Sequence, residues 1–393
     1  MLRVLTLSTL FPDATRPVFG PFVERQTLGL ATHTDVDLRV MAPIGIPPLG
    51  QFHARYRNLA RLPDVETWKG LTVYRPRFQH IPGVGGRWDA SALARSLHRP
   101  LADIRQLFPF DVIDAQFFWP DGPAAIALGH AFGVPVSIKA RGADIHFWGR
   151  NPSTCKQVIA AGRAADGMLA VSAALKADMV ALGMPEERVT VHYTGIDKTM
   201  FAVRDRSTAK AALAIRGSLI VSVGALIARK GQAFLIDAMP MLPDTILVLI
   251  GKGENEAALR AKAQALGVAN RVRFMGALPQ SLIADWLAAA DVMALPTASE
   301  GLANAWVEAL ASGTPVVTCD VGGARELIER PEAGRLVERD AKHIATAIRD
   351  LLANPPPRDA VAKTVDRFSW EANTAALYMH LANLAASRKS RRA

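Results

Sequence analysis

Residues 295–323 read LPTASEGLANAWVEALASGTPVVTCDVGG, and the order of signals in them decides the fold. The apolar run DVMALP ends at Pro296, and a second, TPVVTCD, begins after Gly313. Between them the pattern is helical. Gly301 and Asn304, whose side chain can cap, mark the helix start, and Ser312-Gly313 form the usual left-handed stop. Strand, turn, helix, glycine, strand is a βαβ unit, whose helix N-terminus points at the sheet edge where α/β proteins bind ligands. The backbone amides of Gly301, Leu302 and Ala303 are then expected as donors in a positive dipole field, which is an anion site.

Two carboxylates frame that start. Glu300 precedes the helix and Glu308 lies inside it, and neither helps a phosphate by pointing at it. A carboxylate accepts two hydrogen bonds from a vicinal diol, so one suits a ribose and the other a hexose on either side of a pyrophosphate. Read in isolation, the same pair is equally two solvated helix charges, one of them complementing the dipole.

The flanking residues carry a resemblance. The run SEGLANAWVEALASGTPVV resembles the nucleotide-sugar-binding signature of retaining GT-B glycosyltransferases of family 4, E-G-[FL]-x-N-x-x-x-E-A-x-A-x-G-x-P-V-V. The resemblance implies that Glu300 holds the donor sugar, the turn Gly301 to Asn304 holds the phosphates, and Glu308 holds the ribose.

Composition sets the bounds. With 393 residues, half of them apolar, the chain can bury two cores. No apolar run reaches the roughly 18–20 residues that span a bilayer. MLRVLTLSTLF, cut short by Pro12 and Asp13 and without a small-residue cleavage site, is expected to be a first strand, not a leader. Cys155 and Cys319, far apart and without metal-ligand spacing, suggest free thiols in a reducing compartment. A net charge of +10 favours anionic partners, among which nucleic acid, lipid and nucleotide diphosphates all qualify.

In chain order, RVLTLS is a buried strand, VERQTLGLATH a helix and VDLRVMAP a strand. Gly20 stands just before that helix, where backbone approaches a ligand; the resemblance places this loop near the donor phosphates and the acceptor. Asp35 and Asp37 match an Asp-x-Asp metal pattern but open a strand instead of closing one, so no metal is expected there. From Pro43 to Gln106 the chain reads as irregular, with Gly83, Gly85-Gly86, and Phe52, Tyr56, Arg57, Trp68, Arg77, Phe78 and Trp88. That basic and aromatic lining suits acceptor binding, including at a membrane surface, and equally a satellite core. Regularity returns with FDVIDAQF, a helix from about Gly122 to Phe132, and the strand VPVSIKA running into RGADIHFW. Family members commonly read H-G-x-D at this turn. Here Gly142 and Asp144 match, while Arg141 replaces the histidine; it cannot act as a base but can hold a phosphate or a hydroxyl-rich substrate. A structural salt bridge with Asp144 or a neighbour is the other reading of Arg141, and His146 is expected to be a packing residue. The segment DGMLAVS through GID resembles the family's closing segment of the first domain, with Thr194 in place of the commoner asparagine. VRDRSTAKAALAI then reads as a linker.

The second half opens with SLIVSVGALIARKGQAFLIDAM. Gly224 permits close backbone approach, and Lys230 before Gly231 reaches phosphate as a point charge. The family pattern G-R-L-x-x-x-K-G has Ala225 at its arginine, leaving Arg229 and Arg141 as substitutes. Gly251, Gly253 and Glu254 match a G-x-G turn. By resemblance, main-chain groups from Phe274 through Met275 to Gly276 meet the base, so the base identity leaves no side-chain code. Gly322-Gly323 make the next turn. RFSWEANTAALYMHLANLA is expected as an amphipathic helix crossing back to the first domain, followed by a frayed basic tail, SRKSRRA, suited to anionic lipid.

The fold expected is α/β of GT-B type: two Rossmann-like domains with parallel sheets facing a cleft, at residues 1–205 and 206–368, and a crossover helix with tail at 369–393. The resemblance implies a metal-independent, retaining hexosyltransferase that needs no cofactor. Its donor would be a nucleoside diphosphate sugar, and its acceptor a lipid-linked or exopolysaccharide precursor at the cytoplasmic membrane face. Lys230, Glu300, Arg141 and Asp144 would serve catalysis. Three other readings stay open: an epimerase or phosphorylase on the same fold, a non-catalytic nucleotide-sugar binder, and, on charge alone, a nucleic-acid protein.

Overall fold

The structure is a computed structural model and describes residues 1–17, 19–81 and 85–390. Gly83 and tail residues 391–393 lie outside the described residues. The chain divides into two compact units, Met1–Gly195 with Trp370–Ala393, and Ile196–Ser369.

Among the described residues the first unit is built on ten strands: β1 (Leu2–Leu7), β2 (Val36–Met41), β3 (Ile44–Ile46), β4 (Val65–Trp68), β5 (Leu71–Tyr74), β6 (Arg77–Gln79), β7 (Val112–Ala115), β8 (Val136–Ala140), β9 (Gly167–Ala170) and β10 (Val189–Val191). Eight form one sheet in the order β10-β9-β8-β7-β1-β2-β5-β4, parallel except for the β4–β5 edge hairpin, and β3 pairs with β6 apart from it. β7, β8 and β9 are buried along their whole length, as a parallel sheet covered on both faces requires.

The stretch expected to be irregular is instead ordered over most of its length. It holds β3 to β6, a short helix Ala54–Ala60, and a 19-residue helix, Asp89–Leu107. Pro100 inside that helix reads as a breaker, yet Ala90, Leu93, Leu97, Leu101 and Ile104 repeat at helical spacing and are all buried.

The second unit carries β11 (Ser218–Val223), β12 (Thr245–Ile250), β13 (Val272–Gly276), β14 (Val292–Leu295), β15 (Val316–Thr318) and β16 (Gly334–Leu336). They form one parallel sheet in the order β13-β12-β11-β14-β15-β16. Strand succession reverses between β11 and β14, and at such a switch point the loops leaving the two strands diverge to leave a crevice. The stretch read as a linker belongs to this unit: Arg206–Ala212 is a helix, capped by Asp205, whose carboxylate accepts from Thr208 N at 2.7 Å.

The last helix, Trp370–Ser390, belongs to the first unit although the second separates it in sequence. Leu377, Leu381 and Ala385 bury one face, and Tyr378 stacks on His33 at 3.8 Å. The expected frayed tail is helical as far as Ser390.

Candidate functional site

At the switch point the loop after β11 and the loop after β14 meet. Lys230 Nζ and Arg229 Nη1 both donate to Glu300 Oε1, the latter at 3.2 Å, and Thr297 Oγ1 donates to the same oxygen at 3.1 Å. None of the three goes to Oε2. The side chains of Lys230 and Glu300 are 15% and 12% exposed, and Arg229 is 44% exposed. Arg229 thus stands beside Lys230, both on the same carboxylate. Ala225 itself accepts from Gln232 Nε2 through its carbonyl at 3.0 Å.

Glycines let these loops interlock. A Cβ on Gly231, at φ +77°, would lie 2.1 Å from Pro296 O, and one on Gly322, at φ +51°, would lie 2.0 Å from Glu300 O. Gly323 N donates to Gly301 O at 2.8 Å, so the Gly322-Gly323 turn fixes the main chain around Glu300. Gly224 N donates to Ile250 O at 2.9 Å and Leu226 N to Lys252 O at 3.0 Å, tying the loops after β11 and β12. Gly251 and Gly253 sit in that second loop against the carbonyls of Gly224 and Leu226.

Sequence reasoning missed Arg339. Its guanidinium donates to Pro296 O at 2.9 Å and to the carbonyls of Ala228 and Arg229 at 2.9 and 3.1 Å. It clamps the two site loops from behind. Nothing in local spacing marks it, because its partners are main-chain carbonyls 43 to 111 residues away.

The helix that opens the site spans Asn304–Ala311, later than Gly301 suggests. Ala303 is its N-cap, Asn304 is its first residue and not its cap, and no cap side chain closes the end. The first-turn amides are therefore those of Asn304 to Trp306. Trp306 N bonds Ala303 O at 3.0 Å. Asn304 and Glu308 lie one turn apart on one half-buried face, while Trp306, Val307 and Leu310 are buried, as are Gly301, Leu302 and Ala303 ahead of the helix. Gly313, at φ +72°, ends the helix as expected.

At the sheet edge the pairing of β12 with β13 slips: Leu249 faces Phe274 and Ile250 faces Gly276. Met275 is the extra residue, a bulge that re-aims the local peptide. Arg260 lies over the Phe274 ring at 4.2 Å.

In the first unit Gly20, at φ +60°, is the N-cap of helix Pro21–Ala31, and a Cβ there would meet Leu10 O at 1.8 Å. Close backbone packing explains this glycine.

The turn after β8 is held differently from a salt bridge. The Asp144 carboxylate accepts from Arg141 N at 2.9 Å, Gly142 N at 2.8 Å and Phe118 N at 3.2 Å. The Arg141 guanidinium donates instead to Gln116 O at 2.8 Å and Gln116 Oε1 at 2.6 Å, and it lies over Phe22 at 4.7 Å. Burial raises the Asp144 pKa against the three backbone donors and draws Arg141 down to about 10. Asp144 shapes the turn; Arg141 is aimed by Gln116.

Behind this turn lies a buried polar chain that the sequence did not announce. Lys139 Nζ donates to Gln26 Oε1 at 2.7 Å and meets His192 Nδ1 at 2.6 Å, and His192 Nε2 reaches Asn373 O on the last helix at 2.9 Å. Burial pulls the pKa of Lys139 and of His192 well down, pushes Asp114 up to about 6 and pushes Asp121 up to about 7. His146, expected to pack locally, bonds Asp178 Oδ2 at 2.8 Å. Asp35 precedes β2, while Asp37 lies at its start and pairs with Arg39 at 2.6 Å.

Two family models match. Residues 204–367 match glycosyl transferases group 1, and residues 44–199 match glycosyltransferase family 4. The chain belongs to the group 1 glycosyltransferases of family 4. This glycosyltransferase is 28% identical over 403 aligned positions to the putative teichuronic acid biosynthesis glycosyltransferase TuaC of Bacillus subtilis, covering 96% of this chain and 97% of that one. Sucrose-phosphate synthase from Thermosynechococcus elongatus shares its fold with a TM-score of 0.82 at 20% identity, over 98% of this chain and 100% of the other. HepE of Anabaena, solved in complex with UDP, aligns with a TM-score of 0.72 at 20% identity over 98% and 100%. The fold is GT-B, with two Rossmann-like domains on parallel sheets.

Proposed function

We propose that this glycosyltransferase moves a hexosyl group from a nucleoside diphosphate sugar to a hydroxyl, with retention at the anomeric carbon and without a metal. The observation that carries the reading is the meeting of Lys230, Arg229 and Glu300 at the switch point of the second sheet, next to the start of the Asn304–Ala311 helix. An ammonium has three donors, so Lys230 can keep Glu300 and still bind a diphosphate. Glu300 spends one oxygen on its neighbours and offers Oε2 to a sugar hydroxyl. The helix start and Arg229 add positive potential. Glu308, one turn on, suits the ribose, and the bulged peptide at Met275 suits the base.

In this mechanism the bond from the anomeric carbon to the diphosphate oxygen breaks while a bond to the acceptor oxygen forms on the same face. The acceptor proton passes to the leaving phosphate oxygen. The protein supplies orientation and stabilises charge growing on the diphosphate. Arg141, braced by Gln116 and by the Asp144-stapled turn, serves as a holder of hydroxyls or phosphate, not as a base. We assign the acceptor to cell-envelope glycan synthesis, supported by the name of the Bacillus subtilis relative. We also assign it to an anionic membrane surface, supported by the net charge of +10 and by exposed Leu49 and Phe52 ahead of Arg55 and Arg57. Among the described residues no helix is long and apolar enough to cross a membrane.

The test is a melting panel of UDP-, GDP- and ADP-sugars, since a ligand at about 100 times its Kd stabilises by about 2.7 kcal/mol. One donor class is expected to raise Tm, to release its nucleoside diphosphate with a metal chelator present, and to give a product of unchanged anomeric configuration. Stabilisation by none of them, or an inverted product, overturns the proposal.

A further inference from the structure

The first unit also contains a cavity of about 480 Å³ that the donor chemistry leaves without a role. Its size is that of a small-ligand site. One wall is formed by residues 80–81, at the exit of β6, and 86–89, at the start of the long helix, the other by residues 147, 148, 151 and 153.

Both walls are braced from behind. Gln157 Nε2 donates to Arg87 O at 3.0 Å, which ties one wall to the other, and buried Thr154 donates to Trp148 O at 2.6 Å. The turn Asp144–Trp148 closes on a wide hydrogen bond from Gly149 N to Asp144 O at 2.9 Å, five residues apart. Such wide turns recur at functional sites. This one runs straight from the Arg141–Asp144 turn into the cavity wall.

What the walls present is mixed. Trp88 is 51% and Phe147 59% exposed, although both line a concave surface. Beside them Asp89 holds His80 Nδ1 at 2.9 Å, and Arg87 completes the lining. An acyl chain gains nothing from a carboxylate–imidazole pair, and a phosphate is repelled by Asp89. A sugar ring matches both features: its C–H face lies flat on an aromatic ring, and its hydroxyls donate to a carboxylate and accept from an imidazole or guanidinium.

We propose that this cavity is the subsite for one pyranose ring of a glycan acceptor, stacked on Trp88 and Phe147 with its hydroxyls at Asp89, His80 and Arg87. The assignment rests on the transferase reading above, and it makes the acceptor a saccharide-bearing molecule.

Saturation-transfer NMR on the full chain, with methyl α-glucopyranoside, methyl α-galactopyranoside, methyl α-mannopyranoside and maltose as probes, tests it. At least one probe is expected to show transfer to its ring protons. Trp88→Ala and Phe147→Ala should each weaken that binding about 2- to 10-fold, the worth of one aromatic contact, and Trp88→Phe should restore most of it. Both side chains are more than half exposed, so the variants should melt as the parent does. Stabilisation by nucleotide sugars, measured on the same samples, should not change. No transfer to any probe, or transfer that both alanine variants leave intact, overturns the proposal. So does binding to phosphatidylglycerol vesicles that needs Trp88 and Phe147 in the absence of saccharide transfer, because the face would then be a membrane contact. Failure of nucleotide sugars to stabilise the parent protein counts against the donor reading alone.

Discussion

Lys230→Ala separates chemistry from folding at the switch point. The substitution removes one of three donors to Glu300 Oε1, leaving Arg229 Nη1 at 3.2 Å and Thr297 Oγ1 at 3.1 Å. Breaking a fully buried ion pair costs about 3–5 kcal/mol, and an exposed one about 0–1. Lys230 and Glu300 are 15% and 12% exposed, and the two remaining donors keep the carboxylate paired. The expected loss of stability is therefore about 1–2 kcal/mol, against roughly 5–15 for a typical domain. That corresponds to a drop in Tm of roughly 2–8 °C in a folded protein. Loss of a donor aimed at the leaving diphosphate costs more, about 2.7–4 kcal/mol of barrier, or 10²–10³ in kcat. Initial rates of nucleoside diphosphate release, taken below the melting transition with the donor chosen by the melting panel, measure it. Lys230→Arg, which keeps the charge but not the compact ammonium, should fall between the two. A folded Lys230→Ala protein whose kcat/KM lies within about 3-fold of the parent refutes the assignment of Lys230 to the transition state.

Glu308→Ala should lower kcat/KM by about 10² or more; initial-rate kinetics on the folded variant decides. Gly322→Ala drives a Cβ to 2.0 Å from Glu300 O at a positive φ, and should cost about 2 kcal/mol or more in urea unfolding. Pro100→Ala restores a hydrogen-bond donor inside the Asp89–Leu107 helix and should stabilise by about 1–3 kcal/mol, read as a rise in Tm. His380 pairs with Ser137 at 2.9 Å, and burial lowers its pKa from 6.5 to about 4. The unfolded chain then binds the extra proton first, so the stability this group gives is full above about pH 6.5 and is lost as pH falls towards 4, about 3 kcal/mol at most. His380→Gln should flatten urea-unfolding stability across that window, and an unchanged slope rejects it.

The second sheet was legible because its strands are continuous apolar runs punctuated by glycines that the loops need: Gly231, Gly313 and Gly322 all sit at positive φ. The Lys230–Glu300 meeting was legible only through motif, since seventy residues separate the two in sequence. Three misreadings have physical causes. The stretch from Pro43 to Gln106 read as irregular on its glycines and scattered aromatics, yet Leu93, Leu97 and Leu101 are buried at helical spacing, and tertiary packing carries the helix past Pro100. The polar composition of Arg206–Ala212 suggested a linker, but Asp205 caps it into a helix. The helix starts at Asn304 and not at Gly301, whose carbonyl is held by Gly323 N at 2.8 Å, a long-range contact without local trace. Arg339 and the Lys139–His192 pair were invisible for the same reason.

Residues 370–390 complete the first unit only after the whole second unit has been threaded through the chain. During synthesis, therefore, residues 1–195 wait for their closing piece, with the face that receives Leu377 and Leu381 open to water and to other chains, while the inserted unit already has every strand of its sheet. The inserted unit is the half suited to excision and separate expression; the outer half calls for its two ends to be joined by a short linker in place of the insert.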